Sequence, residues 1–122
     1  MKRLVTIAAV ISAAILFSDS LHADELKKAL RLYEDGMLVH SRALFNEMTD
    51  HMKVSDPEGW SVLCDVRMRT AGYQGRMEDY IARNPHSALC PQIRYAYAAD
   101  LFERKEYRAA SEEYVKIDRK SL

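Results

Sequence analysis

Glycine occurs four times and proline three times in this chain of 122 residues. That is too little turn chemistry for a β architecture of many short strands, and it favours helices. Charge of one sign is also missing: 18 basic residues balance 18 acidic ones, which removes the electrostatic ground for nucleic-acid or acidic-membrane binding. No apolar run is long. The longest, Leu4 to Phe17, has 14 residues, short of the roughly 20 that an ordinary transmembrane helix needs. No His-x-x-x-His or Cys-x-x-Cys pair, Gly-rich phosphate loop or nucleophile elbow is present. His40 and His51 are eleven residues apart on one expected helix, too far to share a metal. The sequence therefore gives no catalytic residue, no metal site and no cofactor site; catalysis by isolated histidines, carboxylates or thiols is the weaker alternative.

What remains is 48% apolar and 30% charged, suited to one folded domain. The first residues differ from the rest. Lys2 and Arg3 precede the apolar Leu4–Phe17 stretch, and Ser18-Asp19-Ser20 and Leu21-His22-Ala23 follow. This is the layout of a secretory signal peptide over residues 1–23, implying export and a periplasmic location. No stable membrane insertion is expected after cleavage; retention as a signal anchor is the alternative.

A pattern with a period of 34 to 35 residues runs through the remainder. Aromatics stand at Phe45, Tyr80 and Tyr114, small residues at Ala29, Cys64 and Ala98, and large apolar residues at Leu38, Tyr73 and Tyr107. Three slots keeping one phase imply a helical repeat array. Helices are expected over Asp24–Asp35, Leu38–Met52, Pro57 to about Ala71, Gln74–Arg83, about Ala88 to Glu103, and from Tyr107 onward. Gly36, Lys53–Asp56, Asn84-Pro85 and Arg104–Glu106 supply the breaks, and Asp56-Pro57 a helix start. The expected fold is all-α, with three hairpins over 24–54, 57–86 and 88–120. In that frame Cys64 and Cys90 are offset by eight residues, about 12 Å along a helix, beyond the reach of a disulfide. Cys64 is expected to be a small buried helix contact.

The stretch Tyr97-Ala98, Leu101, Tyr107, Ala110 and Tyr114 resembles the tetratricopeptide repeat family. The middle repeat keeps Trp60, Leu63-Cys64, Gly72-Tyr73, Tyr80 and Pro85 but has Arg67 and Arg76 at a large apolar slot and a small slot. The first keeps Ala29, Leu32, Gly36 and Phe45, with Ser41 at the small slot and Lys28 where Leu is usual. A related α-hairpin repeat is the alternative label. Signal peptide and degenerate repeats together are similar to exported repeat proteins of Gram-negative bacteria, Bacteroidetes in particular. The resemblance implies a right-handed α-solenoid whose first helices line a concave groove for a peptide or protein partner. The groove face is expected to carry Leu26, Leu30 and Tyr33, then Ser61, Asp65, Met68 and Arg69, then Tyr95, Ala99 and Phe102; Leu26, Leu30 and Phe102 fill space between hairpins in the alternative. Asp65 and Ala99 stand where a clamp for C-terminal carboxylates would want amides. The chain stops on a completed hairpin without a polar cap, which suggests a fragment, a truncated array, or self-stacking. A structural adaptor in a cell-envelope complex is the second functional reading.

Overall fold

A computed structural model describes residues 23–49 and 56–117. The signal-peptide assignment, the end of the second helix at Met52, the Lys53–Ser55 loop and the last residues of the third repeat lie outside the described residues. Among the described residues there are six helices and no strand: α1 (23–34), α2 (Leu38–Thr49), α3 (Pro57–Met68), α4 (Tyr73–Arg83), α5 (Cys90–Glu103) and α6 (Tyr107–Val115). The fold is all-α.

Within each pair the first helix ends the same way. Gly36, Arg69 and Lys105 adopt left-handed conformations, with φ of 79°, 55° and 64°. The next residue then donates its N–H five residues back: Met37 to the Leu32 carbonyl at 2.9 Å, Thr70 to Asp65 at 3.1 Å, Glu106 to Leu101 at 2.9 Å. This closure satisfies carbonyls that a helix end otherwise leaves free. In the middle pair it comes early. The sequence puts the end of α3 near Ala71-Gly72, whereas α3 stops at Met68. Thr70 accounts for the difference: its hydroxyl donates to the Asp65 carbonyl at 3.0 Å and to the Asp65 carboxylate at 2.7 Å. Gly72, with φ of 75°, then carries the chain into α4.

Small residues set how closely the helices approach. Ala29, Cys64 and Ala98 are fully buried. Ser41 takes a small slot because its hydroxyl, also fully buried, donates to the Ala29 carbonyl at 2.8 Å. Two apolar clusters form the core. Ala29, Phe45, Met48 and Cys64 hold α1 and α2 against α3. Val62, Leu63, Val66, Met77, Tyr80 and Ile93 join α3, α4 and α5. Trp60 belongs to the edge of both, stacked on Phe45 (5.8 Å between centroids) and edge-on to Tyr33 (5.2 Å). Cys64 lies in the first cluster and Cys90 in the second, each a free thiol, and the Cys90 Sγ–H donates to the Asn84 carbonyl.

The start of α3 is fixed by a polar knot. Asp56 accepts from the Gly59 N–H at 3.1 Å, an N-cap bond. The same carboxylate accepts from the Tyr80 hydroxyl and from Ser87 at 2.6 Å, so one side chain ties α3 to α4 and to the turn before α5. Burial first, and then the bond to Asp56, pushes the Tyr80 phenol well above its ordinary pKa. Gly59 is required here by space: a Cβ would fall 2.5 Å from the Tyr80 hydroxyl.

Candidate functional site

Helices α1, α3 and α5 are the first members of their pairs, and a groove of about 430 Å³ lies between them. Tyr33 contributes from α1; Leu63, Val66 and Arg67 from α3, with Arg69 from its cap; Gln92, Tyr95, Ala96, Ala99, Asp100 and Glu103 from α5. Of the residues expected on the groove face, Tyr33, Arg69, Tyr95 and Ala99 are brought together here.

The other six go elsewhere: Leu26 and Leu30 pack against the Ala29–Phe45–Met48–Cys64 cluster, and the buried Ser61 donates its hydroxyl to Asn46 Oδ1. Asp65 is buried on the opposite side of α3, 2.6 Å from Arg42 Nε and 3.1 Å from Arg76 Nε. A carboxylate without partners could not be buried there, and these two arginines, from α2 and α4, draw it inward. Met68 packs on the Ala29–Phe45–Met48–Cys64 cluster, where its flexible thioether fills an apolar gap. Phe102 lies edge-on to Tyr107 (5.1 Å) on the far face of the last pair, lining a separate hollow of about 540 Å³ with Ala110 and Tyr114.

A second buried acid borders the groove. Asp100 pairs with Arg69 and with Arg104 at 3.1 Å, and accepts from the Tyr73 hydroxyl at 3.3 Å. Burial, then the charge on Asp100, raises the Tyr73 pKa. Arg69 also reaches Glu103 at 3.2 Å. Asp65 therefore links the first pair to the second through Arg42, and Asp100 links the second to the third through Arg69. Each buried charge fixes a register between adjacent pairs and so shapes the groove.

Arg67 is one of the groove residues that helical periodicity missed. It was legible only as an arginine at a slot where a large apolar side chain is usual. Its guanidinium carbon lies 4.8 Å from the centroid of the Tyr33 ring, a cation–π geometry that holds a flexible side chain at the groove wall. Gln92, also missed, lies one helical turn before Tyr95 on the same face of α5.

Among the described residues no group of three or more His, Cys, Asp or Glu is placed to hold a metal ion, and no helix is long and apolar enough to cross a membrane. Comparison of the chain with family models, curated proteins and solved structures gives no match.

Proposed function

We propose that this protein is an exported, non-catalytic interaction module that holds a peptide or protein segment in the groove between α1, α3 and α5. On this reading the three helix pairs are a right-handed, tetratricopeptide-like array, preceded by a signal peptide, and the groove is its concave face. The observation that carries the proposal is the groove's composition. Three different helices supply aromatic rings, small apolar side chains and a few polar groups, the mixture by which protein surfaces anchor and orient a segment. Tyr95 is half exposed at its edge, the position of an anchor rather than of a core residue. Ala99→Trp would fill the groove from α5, and Tyr95→Ala would remove an aromatic wall. Both should abolish or strongly weaken peptide capture while circular dichroism stays unchanged. Retained capture in both variants would place binding elsewhere.

A structural adaptor is the second reading, favoured by a separate observation. Phe102, Tyr107, Tyr114 and Val115 are all exposed on the face of the last pair. Such a patch is unusual for a solitary domain and suits stacking on a partner or on another copy of the chain. Sedimentation that shows concentration-dependent association, abolished by Phe102→Glu, would support it; a monomer at all concentrations would remove the self-stacking form.

A further inference from the structure

Arg67, Gln92 and Tyr95 line the same groove, and among the described residues none of their polar side-chain atoms has a hydrogen-bond partner. Arg67 also differs from Arg69, which lines the same groove. The guanidinium of Arg69 is neutralised by Asp100 and Glu103, whereas no carboxylate lies within ion-pair distance of Arg67 among the described residues. The Arg67 guanidinium carbon lies 4.8 Å from the Tyr33 ring centroid, and with no hydrogen-bond partner among the described residues its N–H donors are available to a carboxylate. The Gln92 amide N–H₂ and the Tyr95 phenol O–H add donors lining the same groove. Leu63, Val66, Ala96 and Ala99 supply the apolar floor.

Resting on the groove reading above, we infer that the occupant is a segment bearing an aspartate or glutamate side chain next to apolar residues, its carboxylate received by Arg67 and flanked by Gln92 and Tyr95. A basic segment is disfavoured, because it would set its charge against Arg67, which has no carboxylate partner among the described residues. A purely apolar segment would leave Arg67 partly desolvated without a partner, which costs binding free energy. The groove thus selects by charge as well as by shape.

The test is selection of a random dodecapeptide library on the full chain. The peptides are displayed through their C-termini, so every carboxylate in them is a side chain. The expected result is enrichment of Asp or Glu beside apolar residues. A selected peptide should lose about tenfold or more in affinity when its acid is changed to the amide. Trp60, the sole tryptophan and the edge partner of Tyr33, reports binding by fluorescence. In Arg67→Gln the acid preference should vanish while apolar selection persists; Arg31→Gln, on α1 and outside the groove, should keep it. Apolar enrichment without acid preference, or a preference that survives Arg67→Gln, would overturn the inference and leave the groove reading standing. Failure of any peptide to be enriched would overturn the groove reading, and this inference with it.

Discussion

Asp65 and Arg76 face each other from consecutive helices, the arginine Nε 3.1 Å from the aspartate Oδ2. The pair explains how an arginine is accommodated at this contact between α3 and α4. Arg76 does not enter the helix contact as an apolar residue would; it reaches a carboxylate that is only 2% exposed, while its own side chain stays 43% exposed. Arg42 approaches the same carboxylate from α2.

Asp65→Asn should destabilise the fold by about 1–3 kcal/mol. Removing one member of a buried ion pair can cost more, but both arginines are partly exposed and can turn to water, which lowers the cost. Urea unfolding of the single and double variants checks this. In the double variant Asp65→Leu with Arg76→Ala much of the loss should be recovered, since an apolar contact replaces the ionic one. A double variant no more stable than Asp65→Asn would argue against it.

Gly59→Ala should cost about 1–3 kcal/mol, the range for overpacking a filled core. The new methyl would lie 2.5 Å from the Tyr80 hydroxyl and 2.8 Å from the Leu89 Cδ1. Because Tyr80→Phe removes the nearest clashing atom, the two substitutions should be non-additive in a thermodynamic cycle. Strict additivity would mean that the methyl is accommodated by moving backbone.

Ser41→Ala removes the hydroxyl bonded to the Ala29 carbonyl and should lower stability by about 1 kcal/mol. Ser41→Leu should cost more, because the slot is fully buried and α1 and α2 cannot separate without opening the Phe45–Met48 cluster. Thermal melts of both variants give the ordering.

Stability should hold up to about pH 9 and fall above it. Burial raises the pKa of Cys64 and Cys90 above the ordinary 9.0, and that of Tyr80 above 10.0. A raised pKa on a group that is neutral when protonated means that the folded state keeps its proton longer than the unfolded chain does. The resulting stabilisation is complete below the unfolded values and is lost as pH rises through the folded ones. Cys64→Ala should flatten the curve near pH 9, and Tyr80→Phe should flatten it above pH 10. Denaturation midpoints across pH 7–11 measure both.

Helix number, type and phase were legible because they follow from local periodicity and breakers: Gly36, Asp56-Pro57 and Asn84-Pro85 mark boundaries that the structure keeps. The end of α3 was not, because Thr70 closes it through a side-chain bond to Asp65 that no turn residue announces. Four of the ten expected groove residues meet in the groove. The periodicity placed Asp65 and Met68 on the groove face, but a helix face is not a sharp line. Opposite charges on two neighbouring helices drew Asp65 inward, and an apolar gap beside Phe45 took Met68.

The sequence by itself determined the all-α fold, the helix pairs and the small residues that let them approach, because propensity, turn chemistry and spacing are properties of short segments. Only the tertiary structure decided what each slot does. Phe45, Tyr80 and Tyr114 share one phase, yet the first two are 0% and 1% exposed and the third 37%. Asp65 and Ala99 also share a phase, 34 residues apart, yet one is locked between arginines and the other lines the groove. A repeat fixes where a side chain starts; the helices packed against it and the charges they carry fix whether it is buried, paired or offered to a partner.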